Sequence, residues 1–342
     1  MRDVAPVTVS AGELSYEWID GWARIPDERA SAAAWPHHGI GALPSNEIVT
    51  MDRSKPNLLI FELDGALHRS VETEIADAHG ITVVREGDAA YLWIADAAMK
   101  QAKEAGYEPP ESSKGSGVAK LALSGRVITR LPKPELAVYG QGEYRPTCVA
   151  VNEVRSGGNG DIWVADGYGE SYVHRFDASG RYLRSLSGEE GAGRFKGPHA
   201  VFIDRRRGDP ELYVADRNNG RIQVYDLEGR FKRVVGAEFL SRPTWFASDG
   251  DRLLVLEFRP PRLTVLDSAD RLIGYLAENP EAPTREGWPN ELNSDGTPHR
   301  TRSLEAGKLN SPHSLTLDRA GNIYITEWLI GGRIIKLKKL SG

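Results

Sequence analysis

Short apolar runs alternate with clusters of turn-forming residues along the chain, most clearly over residues 197–235. Four runs there, AVFI, LYVA, IQVY and FKRVV, are each bounded by Asp, Gly, Asn or Pro. Such punctuation predicts short antiparallel strands joined by tight turns. One sheet of this kind cannot bury both of its faces, so the unit implies copies of itself. Further copies occupy 37–71, 78–131, 145–186, 242–276 and 311–340, the second broken by a polar insert at 99–117. The last copy stops before its outer strand, while a strand-like segment at 13–25 precedes the first copy.

Six copies of about four strands each predict an all-β chain, a six-bladed β-propeller spanning residues 1–342 as a single domain. Residues 13–25 are expected to close the ring as the outer strand of the last blade, beside 333–337, which removes the exposed sheet edges of an open array. An acid ends the second strand of every copy: Asp52, Asp96, Asp166, Asp216, Glu257 and Glu327. These are expected to accept backbone N–H bonds in the following turn.

Composition narrows the classes. The 342 residues include 36 Gly and 20 Pro, which favours many short strands over long helices. A net charge of -5 offers no basic footprint, so no nucleic-acid partner is expected. The single cysteine, Cys148, leaves no intramolecular disulfide to form. No apolar run approaches the ~20 residues needed to span a bilayer, and residues 1–18 lack the apolar core of a signal peptide. A cytoplasmic protein without a membrane partner is the expectation.

Blade geometry then locates the chemistry. The start of strand one and the end of strand two lie on the same face of the disc. At the start of strand one, blades two, four and six carry His79, His199 and His313, and blades one, three and five carry His38, Thr147 and Thr244. Histidines on alternate blades are related by about a threefold rotation and converge on the axis. Three imidazoles meeting there make an open tetrahedral zinc site with a free fourth position. Arg53 and Arg217 follow the strand-two acids of blades one and four, and Tyr168 lies one residue further along in blade three. Guanidiniums suit a carboxylate-bearing substrate, and a tyrosine beside a cation suits a general base.

The pieces RPTCVAV, DIWVADGYGESYVHRFDASGRYLRSLSG, GRFKGPHAVFI and LYVADRNNGRIQVYD resemble the peptidyl-α-hydroxyglycine α-amidating lyases, among the NHL-repeat propellers. The resemblance is strongest over 144–235 and weak over 1–75. It implies zinc held by His79 (AHGI), His199 (GPHAV) and His313 (SPHSL), with Tyr168 as base. Arg217, with Arg53 through blade register, would hold the carboxylate of an N-acyl- or peptidyl-α-hydroxyglycine, released as an amide and glyoxylate. The chain departs from the family at Ser311 and Ser314, where a Met and an acid are expected. The first change alters a pocket wall, and the second removes a carboxylate from a structural calcium site. The other readings are a metal-dependent hydrolase or lactonase on the same axis and a non-catalytic NHL-type scaffold. His37 and His38 are expected to play structural or supporting roles, and Arg205–Arg206–Arg207 to form a solvated cluster on the opposite face. Trp245 and Trp328 fall at pocket-facing registers. The long connection 277–307 is expected to form part of the pocket wall.

Overall fold

The computed structural model describes residues 6–25, 34–98 and 116–340. Six antiparallel sheets surround one axis. Two strands, β1 (Thr8–Ala11) and β2 (Leu14–Ile19), precede the first blade. Blade one comprises β3 (Ile40–Ala42), β4 (Ile48–Met51), β5 (Asn57–Phe61) and β6 (Leu67–Glu72). Blade two comprises β7 (Ala78–Glu86), β8 (Ala89–Asp96), β9 (Gly117–Ala122) and β10 (Val127–Leu131). Most of its insert, 99–115, lies outside the described residues. Blade three runs from β11 (Cys148–Val151) through β12 (Ile162–Asp166) and β13 (Tyr172–Phe176) to β14 (Tyr182–Leu186). Blade four follows as β15 (Pro198–Asp204), β16 (Glu211–Asp216), β17 (Arg221–Asp226) and β18 (Phe231–Val235). Blade five is β19 (Pro243–Asp249), β20 (Arg252–Phe258), β21 (Pro261–Leu266) and β22 (Leu272–Leu276). The connection after it holds a small hairpin, β23 (Glu291–Leu292) and β24 (Pro298–His299). Blade six supplies β25 (Pro312–Leu317), β26 (Ile323–Glu327) and β27 (Arg333–Lys339). The innermost strands contact one another in the cycle β3, β7, β11, β15, β19, β25 and back to β3.

Burial is greatest in the second strands and least in the fourth, as the sequence pattern requires. Every residue of β16 (ELYVAD) is buried, whereas β18 (FKRVV) alternates and exposes Lys232 and Val234. Second strands are packed on both faces by neighbouring blades and therefore read as continuous apolar runs. Fourth strands are largely exposed or half-buried, with few fully buried residues.

The ring closes through both termini, with more strand than expected. β2 pairs with β27, aligning Trp18 with Leu337 and Ile19 with Lys336. The paired segment is 14–19 rather than 13–25, and β1 adds a fifth strand outside it. Residues 20–25 instead cross to blade one. Trp22 packs against Phe61 and Tyr324 at ring-centroid distances of 5.7 and 4.7 Å, and its Nε1 donates to the Leu63 carbonyl at 2.9 Å. Asp20 accepts from Arg333 Nε at 2.9 Å, and Arg333 Nη1 donates to Glu327 at 3.0 Å.

The strand-end acids organise the face carrying the histidines. Asp52 and Asp96 accept from Ser54 N and Ala98 N in the following turn. Asp96 also accepts from Asp77 N at 3.5 Å, and the other four likewise reach back to the chain entering strand one of their own blade. Asp166 accepts from Arg145 N at 2.7 Å, Asp216 from Lys196 N at 2.9 Å, Glu257 from Ser241 N at 2.6 Å, and Glu327 from Ser311 N at 3.0 Å. Each bond fixes the backbone two or three residues before the inward-pointing position.

The Arg205–Arg206–Arg207 run corrects the expectation of a solvated cluster. The Arg206 side chain is only 2% exposed and bridges Asp204 and Asp270 at 2.8 and 2.9 Å. Arg205 donates to Asn152 and Arg207 to the Ser268 carbonyl. Acids and carbonyls from neighbouring blades turn the run into an inter-blade clamp.

Candidate metal centre

A one-residue slip in strand pairing marks the start of strand one in several blades. The pairing of β7 with β8 skips from Ala78 to Gly80, that of β15 with β16 from Pro198 to Val201, and that of β25 with β26 from Pro312 to Ser314. His79, His199 and His313 sit in these slips, and Thr244 sits in the equivalent one of blade five. An inserted residue of this kind leaves the ladder and re-aims its side chain. The three imidazoles therefore turn towards the axis, with ring centroids 4.4 Å apart for His79–His313, 4.9 Å for His79–His199 and 5.6 Å for His199–His313.

Each ring is oriented by the blade that follows it. Nδ1 of His79 lies 2.8 Å from the Thr147 carbonyl, Nδ1 of His199 2.9 Å from that of Thr244, and Nδ1 of His313 3.1 Å from that of His38. A carbonyl only accepts, so each Nδ1 carries the proton and each Nε2 presents a lone pair. The Nε2 atoms of His79 and His313 are nevertheless 2.9 Å apart. Two acceptors at that distance repel unless a cation lies between them. Burial drives the three imidazoles towards the neutral form, His313 down to about 3 and the other two well below the ordinary range. Neutral rings, fixed tautomers and inward-facing lone pairs suit a metal ion, and the backbone acceptors behind them are the partners that metal-bound histidines use. The three ligand atoms that lie within 4.8 Å of one another are those of His37, His79 and His313, with His199 outside that group.

Close backbone packing sets this geometry. Gly39 and Gly80 follow His38 and His79, and neither position has room for a side chain. A Cβ at Gly39 would lie 2.6 Å from Ile81 N and 3.2 Å from the His79 carbonyl oxygen, and one at Gly80 would fall on the Thr147 carbonyl oxygen.

Tyr168 projects from the turn after β12 into the same cavity. Its Oη lies 3.2 Å from His199 Nε2, 3.2 Å from His37 Nε2 and 3.4 Å from Arg217 Nη1. Burial raises the phenol above its ordinary value, and the Arg217 charge and hydrogen bond offset only part of that rise. The Arg217 guanidinium stacks over the Tyr168 and Phe258 rings at 5.2 and 5.9 Å. No carboxylate of the described residues pairs with it, and its Nε is buried without a hydrogen-bond partner. The cavity above the histidines measures about 280 Å³ and is lined by His37, Tyr168, Arg217, Arg242, Phe258 and Trp328, among others.

Arg53 lies elsewhere. It borders a smaller cleft that adjoins the site through His313, with Pro36, His38, Gly332 and Ile334, where burial and then the Arg300 charge lower its pKa to about 10. The second arginine lining the histidine cavity is Arg242, whose Nη1 donates to Asn218 at 2.6 Å. Sequence reading missed Arg242 and Phe258, and it gave His37 only a supporting role. Trp328 lines the cavity as its register implies, whereas Trp245 lines a larger cavity of about 570 Å³ with Arg205 and Arg206. The 277–307 connection contributes a second layer. Trp288 packs on Phe258 and Trp328 at 5.4 and 6.3 Å from behind.

Among the described residues, no helix is long and apolar enough to cross a membrane. No family model matches the chain. It is similar, at 28% identity over 214 residues, to peptidyl-glycine alpha-amidating monooxygenase A of Xenopus laevis, a match covering 60% of this chain and 19% of that protein. It is likewise 28% identical over 242 residues to peptidyl-alpha-hydroxyglycine alpha-amidating lyase 2 of Drosophila melanogaster, covering 66% of this chain and 54% of that protein. NHL repeat-containing protein 3 of Homo sapiens matches at 28% over 220 residues, covering 62% and 58%. The chain thus spans less than two thirds of the length of each of these relatives. Among solved structures, a streptogramin B lyase superposes with a TM-score of 0.58 at 14% identity, covering 97% of this chain and all of that one. A gluconolactonase from Xanthomonas campestris superposes with a TM-score of 0.56 at 13% identity, covering 99% and 96%. These structural likenesses speak to the fold alone. The chain is a six-bladed β-propeller whose relatives in sequence bear the names of amidating lyases and of an NHL repeat-containing protein.

Proposed function

We propose that this chain is a zinc-dependent carbon–nitrogen lyase acting on an N-acyl- or peptidyl-α-hydroxyglycine, or on a closely related carbinolamide. The observation that carries the reading is the gathering, around one cavity, of three histidines whose Nδ1 atoms are held by backbone carbonyls, a tyrosine hydroxyl, and an arginine with which no carboxylate of the described residues pairs. His79, His199 and His313 would hold the ion, which when bound supplies Lewis-acid polarisation of a hydroxyl oxygen. The names of the relatives match this chemistry.

The roles of the chain's own residues follow from their positions. Arg217 presents its guanidinium to a substrate carboxylate, and Arg242 adds positive charge along the same wall. Tyr168 Oη, as the phenolate, takes the substrate hydroxyl proton. The electrons of that O–H bond form the C=O of glyoxylate as the C–N bond breaks, and the leaving amide nitrogen takes up the proton that Tyr168 received, which restores the phenolate. Arg217 favours the ionised tyrosine that burial disfavours. Phe258 and Trp328 form an apolar wall that suits the acyl portion and limits access of water.

The test is a turnover screen of zinc-loaded protein. Glyoxylate and amide released in equal amounts from an N-acyl-α-hydroxyglycine support the lyase. Lactone opening without glyoxylate would favour a metal-dependent hydrolase, and absence of both with zinc bound would favour a binding scaffold.

A further inference from the structure

His37 precedes β3, the first strand of blade one, yet it reaches the centre of the site. Its ring centroid is 4.2 Å from that of His313 and 4.8 Å from that of His79. One ligand nitrogen from each of these three residues can be chosen so that all lie within 4.8 Å of one another. The segment carrying His37 is anchored on both sides. Before it, the Ala34 carbonyl accepts from Gly331 N at 2.7 Å, and Trp35 stacks on Trp328 at 5.4 Å with planes 24° apart. After it, His38 lies 3.1 Å from Thr50 Oγ1 through Nδ1, and Gly39 N donates to the Ala78 carbonyl at 2.8 Å. Between these anchors the chain holds the imidazole beside those of His79 and His313, so that His37, rather than His199, completes the set of ligand atoms within 4.8 Å of one another.

We propose that His37 is a displaceable fourth ligand, closing the open coordination position of the metal in the resting protein and yielding it to an incoming oxygen ligand. The inference rests on the metal reading proposed above. Three histidines leave one position of a tetrahedral ion free, and a fourth neutral imidazole saturates it. Tyr168 Oη, 3.2 Å from His37 Nε2, offers the released ring a partner and so lowers the cost of leaving. Small anions and water then compete with His37 for the ion. Their apparent affinity falls by the fraction of time the position stays open.

The test uses the full chain loaded with Co²⁺, whose visible absorption reports ligand number and type. Wild type should show the spectrum of four nitrogen ligands and respond weakly to azide. His37→Ala should give a changed spectrum and bind azide at least about tenfold more tightly, as expected when a position closed nine-tenths of the time becomes open. His37→Phe keeps a ring against Trp328 and Tyr168 and should behave like His37→Ala, so loss of packing in the alanine variant does not decide the matter. Identical spectra and azide affinities in wild type and both variants would overturn the fourth-ligand inference and leave the three-histidine site standing. Failure of wild type itself to bind Co²⁺ would overturn the metal reading beneath it.

Discussion

Gly39→Ala places one methyl group where the first two blades touch. The new Cβ would lie 2.6 Å from Ile81 N, 3.1 Å from the Gly80 carbonyl carbon and 3.2 Å from the His79 carbonyl oxygen. All three are backbone atoms, so no side chain can swing away. Ordinary contact requires the strands to separate by roughly 0.8 Å, an overpacking that costs about 1–3 kcal/mol. The lower entropy of an unfolded alanine returns about 0.4–1 kcal/mol, leaving a net loss of up to roughly 2.6 kcal/mol. The same movement shifts His79 and draws the neighbouring His38 carbonyl away from His313 Nδ1, a contact already 3.1 Å long. Loss of such an orienting partner typically weakens a metal by 10–100-fold. The assay is competition for zinc with a chromophoric chelator, alongside thermal melting of loaded and stripped protein. Gly117→Ala serves as the control, because nothing lies within 4 Å of a Cβ there. Unchanged zinc affinity in Gly39→Ala would refute the claim that inter-blade contact sets the ligand geometry.

Three further outcomes are expected. Tyr168→Phe should keep its zinc and its melting temperature while glyoxylate production falls ~10²–10⁴-fold, the range for losing a general acid–base group; full turnover would remove Tyr168 as base. Arg217→Ala should raise KM for carboxylate substrates and lower kcat together, because an arginine fork serves ground and transition states alike; an unchanged KM in steady-state kinetics would place the carboxylate elsewhere. Asp20→Ala should destabilise by about 1–2 kcal/mol in urea unfolding, less than the 3–5 of a fully buried pair, since Arg333 keeps Glu327 and the Asp20 side chain is 44% exposed. Burial pushes Asp20 up, but its Arg333 bonds outweigh this and hold its carboxyl below the ordinary range. That stabilisation is therefore present above the unfolded value near 4 and is lost as pH falls through the folded value. A difference between Asp20→Ala and wild type that persists at the lowest pH would contradict it.

The repeat made much of this arrangement readable in advance. Once the copies are aligned, position within a blade fixes which face a residue occupies, so the alternation of His79, His199 and His313 translates directly into convergence. The same alignment places His38, Thr147 and Thr244 in the intervening blades, and their carbonyls receive the three Nδ1 protons. Features set by contacts between blades or between distant parts of the chain were not readable. His37 is positioned by Trp35 on Trp328 and by Ala34 against Gly331, contacts between opposite ends of the chain. Arg53 shares the register of Arg217, yet Pro36 borders the cleft in which it lies. Arg206 looks solvated in a run of three arginines, but Asp270 from the adjacent blade buries it. Strand β1 was invisible because four residues with alternating burial carry too little apolar signal to stand out.

The central claim is that alternate blades hold one metal ion through His79, His199 and His313. Elemental analysis of purified protein, wild type beside the three single alanine variants, tests it most directly. One zinc per chain in wild type and a strong loss in each variant, with folding intact by circular dichroism, is the predicted result. Stoichiometric zinc retained in all three variants would place the metal elsewhere and contradict the account.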